Sequence, residues 1–163
     1  MATSNRLEGM NVAILVENRF EQVELTEPRK ALDQAGARTV VVSPQKDKVQ
    51  GMNHDDPGDT IDVDLPLEQA QPDRFDALLL PGGVVNPDRL RMNRKAMDFV
   101  RAFVDAGKPI AAICHGPWSL VEVDAVRQLQ QRIRRLQKLR VCHEFLPLNC
   151  EAEQPGARYC ERH

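Results

Sequence analysis

Cys114 stands in the run Ala112-Ile113-Cys114-His115-Gly116, which has the form small–x–nucleophile–x–small. That form fits a tight turn between a strand and a helix, where the backbone doubles back and bulky side chains two residues away would collide. A cysteine so placed faces solvent over the N-terminus of the next helix, whose unpaired N–H groups and dipole favour a thiolate. A thiolate, unlike a thiol, attacks electrophilic carbon at neutral pH. A lone cysteine is more often inert core filler, so the chemical reading rests on pattern and setting together. Pro81-Gly82-Gly83 is the second candidate. A turn without side chains lets a substrate oxygen reach main-chain N–H groups, an oxyanion-type site to which the His115 N–H adds a donor. A plain turn fits the same residues equally well. A general-base role for His115 stays open, because adjacent side chains at such a turn often point apart.

These residues need elements to hold them. Residues 11–16 are a continuous apolar run, the mark of a strand buried on both faces of a parallel sheet. Helix signals follow, with Thr26 as N-cap, Pro28 in the first turn, Leu25, Ala31, Leu32 and Ala35 on one face, and Gly36 as the stop. Arg38–Ser43 supplies a second strand, closed by Pro44. Residues 45–73 are polar, with short edge strands expected near Val49 and at 61–63 and no long element; His54-Asp55-Asp56 reads as solvated loop. Residues 75–80 form a third strand, cut off by Pro81-Gly82-Gly83. One long amphipathic helix is predicted over 87–106, a fourth strand over 109–113 and a helix over 116–126.

This order predicts an α/β domain with a central parallel sheet. Ligands in such sheets gather beyond the carboxyl ends of the strands. Three of those ends carry unusual residues: 17–21 with its two glutamates, Pro81-Gly82-Gly83, and Cys114-His115. The convergence moves Cys114 from filler toward function.

Composition sets the outer bounds. The 163 residues fit one domain, and 42% hydrophobic with 28% charged residues is ordinary for a globular chain. A net charge of -2 gives no reason to expect a polyanionic partner, so nucleic acid is not expected. No window approaches the roughly 20 apolar residues that cross a bilayer. Residues 1–9 lack the apolar core of a secretory signal, and the expected location is the cytoplasm. Of four cysteines, Cys142, Cys150 and Cys160 crowd the last quarter, unlike a disulfide framework.

Leu80-Pro81-Gly82-Gly83, the run from Gly107 through Cys114-His115-Gly116-Pro117, and Phe20-Glu21-Gln22-Val23-Glu24-Leu25 together resemble the PfpI/ThiJ family of the class I glutamine amidotransferase-like superfamily. The resemblance spans residues 11 to about 126. It implies a flavodoxin-like three-layer α/β sandwich around a central, mostly parallel sheet. It implies that Cys114 is the nucleophile, with His115 as the family's adjacent histidine. Glu21, preferred over Glu17 by its sequence context, matches the acidic residue that hydrogen-bonds the sulfur. Two anions in contact are costly, so that carboxyl is expected to stay protonated as a donor. Asp88 matches an acidic residue that reaches a neighbouring subunit's histidine, which implies a homodimer or hexamer. The implied activity is that of a stress-response enzyme on methylglyoxal, glyoxal or their adducts on proteins and nucleotides, as deglycase or glutathione-independent glyoxalase. Intracellular peptide cleavage is the third implied reaction, and no cofactor or metal is implied. A different class remains as the alternative: a non-catalytic redox sensor or chaperone in which Cys114 oxidises to a sulfinate held by Glu21. An inactive remnant is a further one. Amidotransferase chemistry is disfavoured, because no His-x-Glu follows Cys114 and His143-Glu144 are adjacent.

From Arg127 the pattern departs from the family. Arginine rises abruptly while aromatic and β-branched residues nearly vanish. The expected organisation is therefore a family-like domain over 1–126 and an atypical basic helix and irregular tail over 127–163, with the family's last strands missing or altered. A reading frame shifted by frameshift or sequencing error accounts for the tail better than its rival, an amphipathic helix with Val126, Leu129, Ile133 and Leu136 as its stripe. Cys142, Cys150, Cys160, His143 and His163 lack the paired spacing of a zinc site. The basic run 127–140 reads as a solvated helix face.

Overall fold

The computed structural model describes residues 6–127. Its centre is a five-stranded parallel sheet in the order β6-β3-β1-β7-β8, built from β1 (Asn11–Leu15), β3 (Arg38–Ser43), β6 (Leu65–Pro66), β7 (Ala77–Leu80) and β8 (Ile110–Ala112). Side chains alternate across a strand, and β1 divides accordingly. Ala13 and Leu15 join one core with Leu78, Leu80, Val100 and Phe103, while Val12 and Ile14 join a second with Leu25, Val41 and Leu79. Both faces are dry, which is why the strand reads as an unbroken apolar run.

The first core is covered by α2 (Val85–Met92), α3 (Arg94–Asp105) and α4 (Pro117–Glu122), the second by α1 (Gln22–Gln34) and a smaller sheet. Phe99 carries much of the first packing, edge-on to Phe75 at 6.1 Å and tilted against Phe103 at 5.2 Å. The smaller sheet joins β2 (Phe20–Glu21), β4 (Lys48–Asn53) and β5 (Asp56–Asp62), with β4 and β5 antiparallel.

Four differences from the sequence-based expectation have local causes. The helix read as starting at Thr26 begins at Gln22; Thr26 Oγ1 donates back to the Gln22 carbonyl at 3.1 Å and Pro28 lies inside. The single helix over 87–106 is two, because Asn93 turns extended and its side chain accepts the Ala96 N–H at 3.2 Å, capping α3. The short edge strands expected near Val49 and at 61–63 are present but longer, as β4 and β5 of one hairpin; β5 is polar and mostly exposed, so no alternation shows its length. The elbow helix α4 is six residues long, shorter than 116–126. The amphipathic-helix, basic-run and zinc readings, and the tail itself, lie from residue 128 on outside the described residues.

Candidate active site

The turn after β8 is built as its residue types require. Ile113 donates its N–H to the Leu80 carbonyl at 3.1 Å, prolonging the sheet, and Gly116 donates to the Ile113 carbonyl at 2.8 Å, closing the turn. A Cβ at Gly116 would run into the Leu80 carbonyl, so glycine is needed there. Cys114 itself is left-handed, with φ of 53°, and exposed. Its sulfur lies 3.1 Å from His115 Nδ1. The imidazole also stacks edge-on against Trp118, with ring centroids 4.9 Å apart, so it is held beside the sulfur rather than turned away.

A cavity of about 560 Å³ opens over Cys114 and His115, and its wall includes Arg19, Glu21, Glu24, His54 and Gly83. Four non-glycine residues among those described have a left-handed backbone, and three of them, Arg19, His54 and Cys114, line this cavity. Such conformations persist only where surroundings over-determine them, and they concentrate at functional sites. The Arg19 N–H, for example, donates to the Gln50 carbonyl at 2.7 Å.

The carboxylates fall differently from the expectation. Glu21 ends β2, and its oxygens accept the His54 N–H at 3.2 and 3.4 Å, while Cys114 Sγ contacts His115. The carboxylate at the cysteine is that of Glu24, one helical turn further on. A Cβ built on Gly82 would stand 2.7 Å from Glu24 Oε2 and 2.8 Å from Cys114 Cβ, so the two meet across the Gly82 backbone. Because α1 begins at Gln22, Glu24 sits in its first turn and turns to this backbone. A start at Thr26 hides that placement. The signal was present in the second glutamate of the Phe20–Leu25 run.

Glu17 is buried away from the cavity, accepting from the Asn18 N–H at 2.7 Å and from Gln45 Nε2 at 2.9 Å. Asp88 is not in the cavity wall; on α2 it forms an ion pair with Arg91 at 2.7 Å. Gly82 and Gly83 also part company. The Gly82 N–H is taken by Glu24 Oε2 at 2.7 Å, which removes it as a free oxyanion donor. The Gly83 and His115 N–H groups meet no acceptor among the described residues and remain available. His54 and Asp55, read as solvated loop, form part of the cavity wall because the β4–β5 turn folds over it.

Comparison with known proteins identifies relatives in sequence and in fold. The DJ-1/PfpI family model matches residues 10–131. A deglycase of Pyrococcus abyssi is 41% identical over 118 residues, covering 72% of this chain and 68% of its own length. Protein/nucleic acid deglycase 2 of Escherichia coli is 38% identical over 117 residues, 71% of this chain and 66% of that one. Among solved structures, a two-domain protein with DJ-1/ThiJ/PfpI-like and ferritin-like domains from Anabaena variabilis aligns with a TM-score of 0.65 at 35% identity, over 71% of this chain and 32% of that one. Drosophila melanogaster DJ-1beta aligns with a TM-score of 0.64 at 25% identity, over 71% and 60%.

Proposed function

The chain belongs to the DJ-1/PfpI family, and on that premise we propose that it is a cysteine-dependent enzyme acting on methylglyoxal, glyoxal or their early adducts. The observation that carries the reading is the exposed, left-handed Cys114 in a cavity that also holds Glu24 and an unoccupied Gly83 N–H. Deglycases among the relatives support the same substrate class.

The chemistry follows from the placement. The Cys114 thiolate adds to the aldehyde carbon of methylglyoxal, forming a C–S bond while the carbonyl π electrons move to oxygen. The Gly83 and His115 N–H groups stabilise that oxyanion, and Glu24 or His115 delivers the proton that makes a hemithioacetal. Transfer of the aldehyde hydrogen, as a proton through an enediol, to the neighbouring ketone carbon gives a thioester of lactate. Water then cleaves the thioester, returning the thiol and releasing lactate. The net change is one methylglyoxal plus one water to one lactate, with the oxidation of one carbon matched by reduction of the next. With an early adduct, a carbinolamine, the C–S bond forms as the C–N bond breaks and the amine leaves with a proton from Glu24 or His115, giving the same hemithioacetal.

The test is product analysis in glutathione-free buffer. The protein is expected to produce lactate from methylglyoxal and to return free amine from preformed methylglyoxal adducts of N-acetylarginine or N-acetyllysine. Absence of lactate from both substrates would overturn the reading. The redox-sensor alternative has a different signature: peroxide oxidation confined to Cys114 in a protein that turns over neither substrate.

A further inference from the structure

We propose that Asn86 is a positioning residue that aims two successive peptide units of the Pro81-Gly82-Gly83 turn at the cysteine; the proposal rests on the reading of Cys114 as nucleophile. Asn86 lies in α2 and is fully buried. Its Oδ1 accepts the Glu17 N–H at 2.7 Å, and its Nδ2 donates to the Pro81 carbonyl at 2.8 Å and to the Gly82 carbonyl at 3.0 Å. The amide thus uses its oxygen and both of its N–H donors. All three partners are main-chain groups, one at the end of β1 and two in the turn after β7.

Peptide geometry gives these bonds their consequence. In a trans unit the C=O and the N–H point in opposite directions, and the described residues contain no cis bond. The Pro81 carbonyl faces Asn86, so the Gly82 N–H of the same unit faces away, where it holds Glu24 Oε2 at 2.7 Å. The Gly82 carbonyl also faces Asn86, so the Gly83 N–H faces away as well, without an acceptor among the described residues, at a residue that lines the cavity. In an extended chain successive carbonyls point to opposite sides. Here one amide gathers two of them, an arrangement set by the dihedrals of Gly82, the residue between the two units. Two successive N–H groups on one side form the concave arrangement that binds anions. One is occupied by the Glu24 carboxylate, the other is free for the substrate oxyanion. The Glu17 contact fixes this turn to the loop that supplies Arg19 and Glu21 to the cavity wall.

No other side chain of this size does the same. Aspartate keeps the acceptor for Glu17 but loses both donors, and alanine leaves three buried main-chain groups unsatisfied. The test compares wild type, Asn86→Ala, Asn86→Asp and Asn93→Ala, the last removing the α3 cap as a control for simple loss of stability. Two quantities are read: hydrogen exchange of the Gly82 amide, and kcat for methylglyoxal per alkylatable Cys114. In the wild type the Gly82 amide is expected to exchange more slowly than that of Gly83. Both Asn86 variants are expected to speed Gly82 exchange at least about tenfold while the β1 and β3 amides hold, and to lower kcat about tenfold or more with KM within about threefold. Asn93→Ala is expected to lower Tm with neither effect. Gly82 exchange unchanged in a folded Asn86 variant, or equal to Gly83 exchange in the wild type, would overturn the proposal. If neither Asn86 variant folds, the wild-type comparison decides. A wild type without turnover would count against the proposed function, while the exchange data still judge Asn86.

Discussion

Cys114, Arg19 and His54 share a conformation that residues with a Cβ seldom adopt, and they share a cavity. At the scale of single residues the site is a set of such constraints. Glu24 is the sharpest case. Glu24→Gln retains an oxygen for the Gly82 N–H but has no carboxyl to act as acid or base, so kcat is expected to fall about 10²-fold with little change in Tm, as steady-state kinetics beside a thermal melt would reveal. Gly82→Ala acts sterically, because its Cβ would lie 2.7 Å from the Ile113 carbonyl and 2.8 Å from Cys114 Cβ. The turn must shift, and methylglyoxal turnover is expected to drop at least about tenfold even where the protein stays folded, since small misplacements of reacting groups are expensive. The exposed cysteine at its tight turn and the glycines around it were legible in the sequence, because tight turns restrict residue types. The choice between Glu21 and Glu24 was not. Only Gln22 and Val23 lie between them, and which one reaches the cysteine depends on where β2 stops and α1 starts.

At the scale of elements, the strands were easier to read than the helix ends. β1, β3 and β7 are apolar on both faces, and that burial is written into their composition. Helix boundaries depend on local competition that apolar periodicity does not record. Asn93 divides α2 from α3 because its side chain caps the second helix. Asn93→Ala is expected to cost about 1 kcal/mol of stability, measurable as a lower midpoint in urea, with activity per folded molecule unchanged. The β4–β5 hairpin was legible only around Val49 and 61–63, because the rest of its outer strand is polar and exposed and is specified by pairing with β4. His54 and Asp55 form the turn between the two strands, and its place in the cavity wall depends on the hairpin as a whole. The elbow helix α4 is also shorter than expected, so the environment of Cys114 owes less to a helix dipole and more to His115 and Glu24.

At the scale of the whole molecule, the sheet brings the ends of β1, β7 and β8 together, and the cavity forms where they meet. The α/β class and its parallel sheet followed from the order of elements, whereas the smaller sheet that walls the site did not. Among the described residues no helix is long and apolar enough to cross a membrane. The core beneath the site sustains its geometry. Phe103, fully buried and in contact with Phe99, is expected to cost about 3–5 kcal/mol when replaced by alanine, readable from chemical denaturation. That is a large share of a typical domain's 5–15 kcal/mol. The central claim, however, concerns one sulfur atom. Its most direct test is the rate of lactate formation from methylglyoxal, without glutathione, by the wild type and by Cys114→Ser at equal folded concentration. The account predicts lactate from the wild type and a loss of at least about 10³-fold in the variant; lactate formation at the wild-type rate by Cys114→Ser would contradict it.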